Sequence, residues 1–181
     1  MASSGPNYPG TVVNDIGIGT RAWSNATNVG ASDNTYATAF HLAGGTTQYL
    51  KATNFGFSIP SGATIDGIEV TIEAATYAGS TRDSTVSLVK GGTISGSNLG
   101  TNTSWTTSDS IRTYGGPSQL WGLSWTDTDI NASTFGVAYS SVMAGGKSGG
   151  GNRCDAMTIT VYYTASGGGT TDAISLLLAG D

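Results

Sequence analysis

Residues 54–77 read NFGFSIPSGATIDGIEVTIEAATY. Two β-type runs flank a break at Ile59-Pro60-Ser61-Gly62. Proline fixes φ and has no N–H to donate, and glycine tolerates positive φ, so the chain turns here. After the turn, Ile68, Val70, Ile72 and Ala74 fall on one side and Glu69, Thr71 and Glu73 on the other. A period of two marks a strand with one buried and one wet face. The rest of the chain supplies the β-structure against which this strand packs.

Outward from that strand, alternation predicts further strands at 35–42, 48–57, 84–90, 120–125, 134–142 and 153–164. In the fifth of these Phe135, Val137 and Tyr139 share a face, and in the last Met157, Ile159, Val161 and Tyr163 do. The run Leu120-Trp121-Gly122-Leu123-Ser124-Trp125 reads as a strand with both tryptophans on one side. Residues 91–104 read as a long polar loop, after which Trp105 and Ile111 re-enter the core. About eight short strands predict an all-β, two-sheet sandwich over residues 21–164, either jelly-roll-like or immunoglobulin-like. Spacing does not separate these two, and no fixed-period repeat points to a propeller or solenoid.

Two tails flank that domain. Residues 1–20, broken by Pro6 and Pro9, read as an extended arm anchored by Val12, Val13 and Ile16. Residues 165–181 read as a Gly-rich linker followed by an apolar segment containing Ile174, Leu176, Leu177 and Leu178. Burying those four side chains is worth several kcal/mol at ~25 cal/mol per Å2. The expected assembly interface is therefore Val12, Val13, Ile174, Leu176, Leu177 and Leu178, and the expected partner is another copy of the chain.

Composition excludes several classes. The chain has 181 residues, 28 of them Gly, and only 10% are charged, which disfavours long helices. A net charge of −5 with seven Lys and Arg leaves no basic stripe for nucleic acid. No apolar run spans a bilayer, and the N-terminus lacks the basic start and apolar segment of a signal peptide. Cys154 stands alone, so no internal disulfide forms.

No catalytic constellation is legible, and neither an enzyme nor a cofactor is expected. Glu69 and Glu73 share a face, but four residues of strand place them ~13 Å apart, beyond the ~5–9.5 Å of glycosidase pairs. Asp127, Asp129 and Asn131 alternate as calcium ligands do, yet the loop's glycine and closing Glu are replaced by Ala132 and Ala138. His41 is the only histidine and lies in no nucleophile context, and Cys154 reads as a small buried side chain. Trp121, Trp125, Tyr162 and Tyr163 could stack on sugars, although aromatics at such positions more often pack a core.

The segments FGFSIPSGATIDGIEVTIE, LWGLSWTDTDIN, FGVAYSS and MTITVYY, in that order, resemble a family of Gly/Thr-rich β-sandwich structural proteins of tailed bacteriophages. The resemblance covers residues 21–164. It implies a virion structural protein made in the host cytoplasm, a capsid decoration or fibre component, with a major capsid protein as partner and a homo-oligomer, a trimer on the decoration reading. The alternatives are a filament subunit assembled by strand addition and a carbohydrate-binding module taking a surface glycan.

Overall fold

A computed structural model of the chain describes residues 1–41, 44–78, 80–144 and 150–166. Ten strands form among them: β1 (Ala2–Asn7), β2 (Thr11–Asp15), β3 (Ala37–His41), β4 (Tyr49–Thr53), β5 (Thr64–Ala78), β6 (Ser80–Lys90), β7 (Thr93–Ser95), β8 (Ser110–Gly116), β9 (Gly136–Ala144) and β10 (Gly150–Thr164). One short helix, α1 (Asp127–Asn131), precedes β9, and a 3-10 turn covers Ala26–Val29. No helix among the described residues is long and apolar enough to cross a membrane.

The strands make two antiparallel sheets. In the first, β10 pairs β5 along nearly its whole length, β8 pairs the far edge of β5, and β1 and β3 pair β10. The second runs β2-β4-β9-β6-β7. Taken from β3 onward, the chain changes sheet at every connection except β6 to β7. The resulting orders are β3-β10-β5-β8 and β4-β9-β6-β7. Eight strands so interleaved make the double Greek key of a jelly roll. An immunoglobulin-like sandwich would instead keep more of its neighbours in sequence as neighbours in one sheet.

The core lies between the sheets where period two predicts it. Ile68, Val70, Ile72, Phe135, Val137, Ile159 and Val161 are all fully buried. The break after Ile59 is a turn closed by Ala63 N–H donating to Pro60 O at 3.1 Å, with Gly62 at φ +75°. Before it, Phe55, Phe57 and Ile59 still alternate into the core although β4 ends at Thr53.

Four expectations need correction. Residues 1–20 are not an arm outside the sandwich, because β1 pairs β10 and β2 pairs β4. The β1 ladder breaks its register between Ser4 and Asn7, across Gly5-Pro6, which is where a residue without an N–H can be tolerated. Residues 120–125 do not form a strand, since Trp121 takes φ +59° and Gly122 φ +72°. Ile111 does not re-enter the core: it sits on the outward side of β8 and is 64% exposed. Residues 91–104 are not all loop, as Thr93–Ser95 turns back to pair the end of β6.

Candidate functional site: the outer face of the first sheet

The pleat that sends Ile68, Val70 and Ile72 inward sends Glu69, Thr71 and Glu73 outward. On β10, Thr160 faces Glu69, Thr158 faces Thr71, and Ala156 faces Glu73. On β8, Thr113 faces Thr71 and Ile111 faces Glu73. Glu69, Thr71, Glu73, Ala156, Thr158 and Thr160 floor a concave cleft of about 310 Å3, walled by Pro6 and Tyr8 on one side and by Ile111 on the other. Ser32 closes one end by donating to Glu73 Oε2 at 2.7 Å.

Two properties distinguish this floor. Glu69 and Glu73 are the chain's only glutamates, and neither takes part in an ion pair among the described residues. Lys51, Lys90, Arg112 and Arg153 pair instead with Asp15, Asp129, Asp83 and Asp109. The Tyr162 hydroxyl stands 3.5 Å from Glu69 Oε2; partial burial, then this carboxylate, raises the phenol above its ordinary pKa. Second, the hydroxyls of Thr71, Thr158 and Thr160 make no hydrogen bond to another described residue, so the floor offers donors and acceptors together.

An irregularity lengthens the face. β10 carries a bulge between Cys154 and Ala156. The extra residue, Asp155, reverses the pleat, so that Arg153 as well as Ala156 points outward. Asp155 itself is buried, and its Oδ1 lacks a hydrogen-bond partner. Burial pushes its carboxyl above the ordinary range, with Glu73 adding repulsion and the Asn34 N–H opposing.

The calcium reading of 127–131 gives way to helix capping and bridging. Thr126 and Asp129 form a capping box at the start of α1, and Lys90 pairs Asp129 at 3.1 Å. Asn131 holds Ile59 as a strand neighbour would, accepting from its N–H at 2.7 Å and donating to its carbonyl at 2.9 Å. No group of three or more His, Cys, Asp and Glu able to hold an ion forms among the described residues.

Other sequence candidates scatter. Trp121 is fully buried, its Nε1 donating to Ile68 O at 2.9 Å, and Trp125 packs edge-on against Phe135. Tyr163 packs against the core while Tyr162 faces outward, so these four rings form no platform. Cys154 is buried, and desolvation pushes its thiol far above the ordinary range, which makes it a poor nucleophile. His41 ends β3 opposite Gly150. Val12 is buried within its own sandwich, while Val13 is half exposed. Ile174, Leu176, Leu177 and Leu178 lie outside the described residues.

Two aromatic residues escape a local reading. Phe40 and Tyr77, from β3 and β5, stack at the far end of this same face. Their alternation with Ala37 and Ala39, and with Thr76, was the available signal, but it marks them only as outward-facing.

No protein-family model matches the chain, and no curated protein is similar to it. One solved structure, described as "CBM4 structure and function", is similar at a TM-score of 0.40 and 13% identity, over 71% of this chain and 85% of that one. A likeness this remote decides nothing about the site.

Proposed function

We propose that the protein is a non-catalytic binding module whose cleft on the outer face of the first sheet takes a glycan. The observation that carries this reading is the cleft floor: two carboxylates without a cation and three threonine hydroxyls without a partner among the described residues, between the apolar walls of Tyr8 and Ile111. A polyhydroxylated ring offers many weak donors and acceptors with apolar C–H faces between them, and this surface complements both. The uncompensated glutamates repel uronic or sulfated chains, so the ligand class is neutral or amino-bearing glycans. The ~13 Å between the carboxylates supports binding rather than cleavage.

The test is affinity electrophoresis of the full chain through gels containing mixed-linkage β-glucan, glucomannan, chitosan or alginate. Retention by a neutral or amino-bearing polymer, lost in Thr71→Trp, which fills the cleft, is expected. Free migration through all four, or retention by alginate alone, refutes the proposal.

The phage resemblance of residues 21–164 supports a setting for such a module, the surface of a tailed-phage virion as decoration or fibre component. On that reading its assembly partners are its own copies and a major capsid protein. Its test is co-sedimentation with purified phage heads, and a chain that stays in the supernatant argues against that setting.

A further inference from the structure

Beyond the cleft, the same sheet face ends in an ordered aromatic stack. On β3, Ala37 and Ala39 point into the core, so Thr38 and Phe40 point out. On β5 the outward series that begins at Glu69, Thr71 and Glu73 continues to Tyr77. Phe40 and Tyr77 lie nearly parallel, ring centroids 5.5 Å apart and planes 13° apart. Arg153, turned outward by the bulge at Asp155, has its guanidinium 5.4 Å from the Tyr77 ring and 4.7 Å from the Tyr36 ring. Asp109 anchors this end, accepting from the Tyr36 hydroxyl at 2.6 Å and pairing Arg153 Nε at 3.4 Å. Tyr36, Arg153, Tyr77 and Phe40 thus form one continuous stack.

Its outer end is open to solvent. Phe40 is 67% exposed and Tyr77 43%. Among the described residues the other exposed large apolar side chains are Met1, Tyr8, Val13, Ile16 and Ile111, none of them in a ring-on-ring stack, so two stacked rings left wet are distinctive. Rigid aromatics lose little conformational entropy on binding, which suits them to be anchors.

We infer that Phe40 and Tyr77 form a stacking subsite for the apolar face of a sugar ring, at the end of the surface that carries the cleft. This rests on the glycan reading and deepens it. Phe40 lies opposite Gly151 and Glu73 opposite Ala156, so the platform stands about 15 Å along β10 from the end of the cleft. A ligand engaging both is a linear glycan of several units lying along the strands, with Thr38 and Arg153 between the two contacts. The negative ring faces attract the polarised C–H groups of a sugar's flat side. A protein partner is disfavoured because two rings bordered by Arg153 and Thr38 fall far short of the ~800 Å2 that a specific protein interface buries per partner. Single-stranded nucleic acid is disfavoured because Arg153 is already paired with Asp109 and the adjoining cleft is acidic.

The experiment uses the full chain and oligosaccharides of two and six units prepared from the polymer that retains the wild type. Phe40→Ala and Tyr77→Ala should each weaken hexasaccharide binding about tenfold by calorimetry while leaving disaccharide binding in the cleft unchanged. Phe40→Leu, which keeps apolar area but no ring, should behave as Phe40→Ala does. Both Phe40 variants should melt as the wild type does, since the ring supports no core. Wild-type hexasaccharide affinity in Phe40→Ala and Tyr77→Ala overturns the platform while leaving the cleft standing. Rescue by Phe40→Leu overturns ring stacking. Absence of any wild-type binding to neutral or amino-bearing polymers overturns cleft and platform together.

Discussion

Asp83 is the residue whose removal should cost this fold most for its size. Its side chain is fully buried near the start of β6 and accepts four hydrogen bonds. Trp105 Nε1 donates to Oδ1 at 2.8 Å, and the Tyr114 hydroxyl donates to Oδ2 at 2.8 Å. The Thr101 N–H and hydroxyl donate to Oδ2 at 2.9 and 3.0 Å, and Arg112 Nη1 stands 3.6 Å away. Asp83→Ala strands the buried Trp105 and Tyr114 donors, at about 1–3 kcal/mol each. Arg112 adds little, because it is partly exposed, still donates to Thr103 O and Ser104 O, and lies over the Trp105 ring. The expected loss is about 2–6 kcal/mol, the cost of the two stranded donors together. That is a large part of a domain's usual 5–15 kcal/mol, and corresponds to a melting point lower by about 10 °C. Urea unfolding followed by tryptophan fluorescence measures it. A second leg isolates the mechanism. Tyr114→Phe should cost about 1 kcal/mol in the wild type, but nothing in Asp83→Ala, where the hydroxyl has already lost its acceptor. An Asp83→Ala variant within about 1 kcal/mol of wild type, or a Tyr114→Phe cost equal in both backgrounds, would refute the reasoning.

Asp155 gives a pH prediction of opposite sign to ordinary acid denaturation. Burial, with Glu73 adding, holds its native carboxyl above the ordinary value of 3.8, so the native state keeps a proton that the unfolded chain has released. Stability contributed by this group therefore falls as pH rises from 3.8 through the raised value, and the deficit persists at neutrality. Asp155→Asn should melt higher than wild type at pH 7, with the advantage shrinking toward pH 3; an advantage that grows on acidification would contradict this. Asn131→Ala should cost about 1–3 kcal/mol through its two bonds to Ile59, and a chelator should leave the wild-type melting point unchanged. A chelator-sensitive melting point would restore an ion to residues 127–131.

The parts of this protein legible in its sequence are those set by side-chain period and local turn chemistry. Alternation alone placed Ile68, Val70, Ile72, Phe135, Val137, Ile159 and Val161 in the core, since a pleated strand has no other way to bury every second residue. Pro60 to Gly62 marked a turn because their backbone preferences act within four residues. Strand order was not legible, because ladder hydrogen bonds use backbone groups that every residue shares, and only the tertiary structure chose the jelly roll over the immunoglobulin-like sandwich. The same cause hid β1 and β2, whose weak local propensity is overridden by the open edges of β10 and β4. Trp121 and Trp125 alternated as strand residues do, yet the Ile68 carbonyl and the Phe135 ring draw them inward from irregular backbone. The outer face of the first sheet needed the fold most. Phe40 and Tyr77 meet only because β3 and β5 both flank β10, and Arg153 joins them only because one extra residue at Asp155 reverses the pleat, a shift that no local pattern announces.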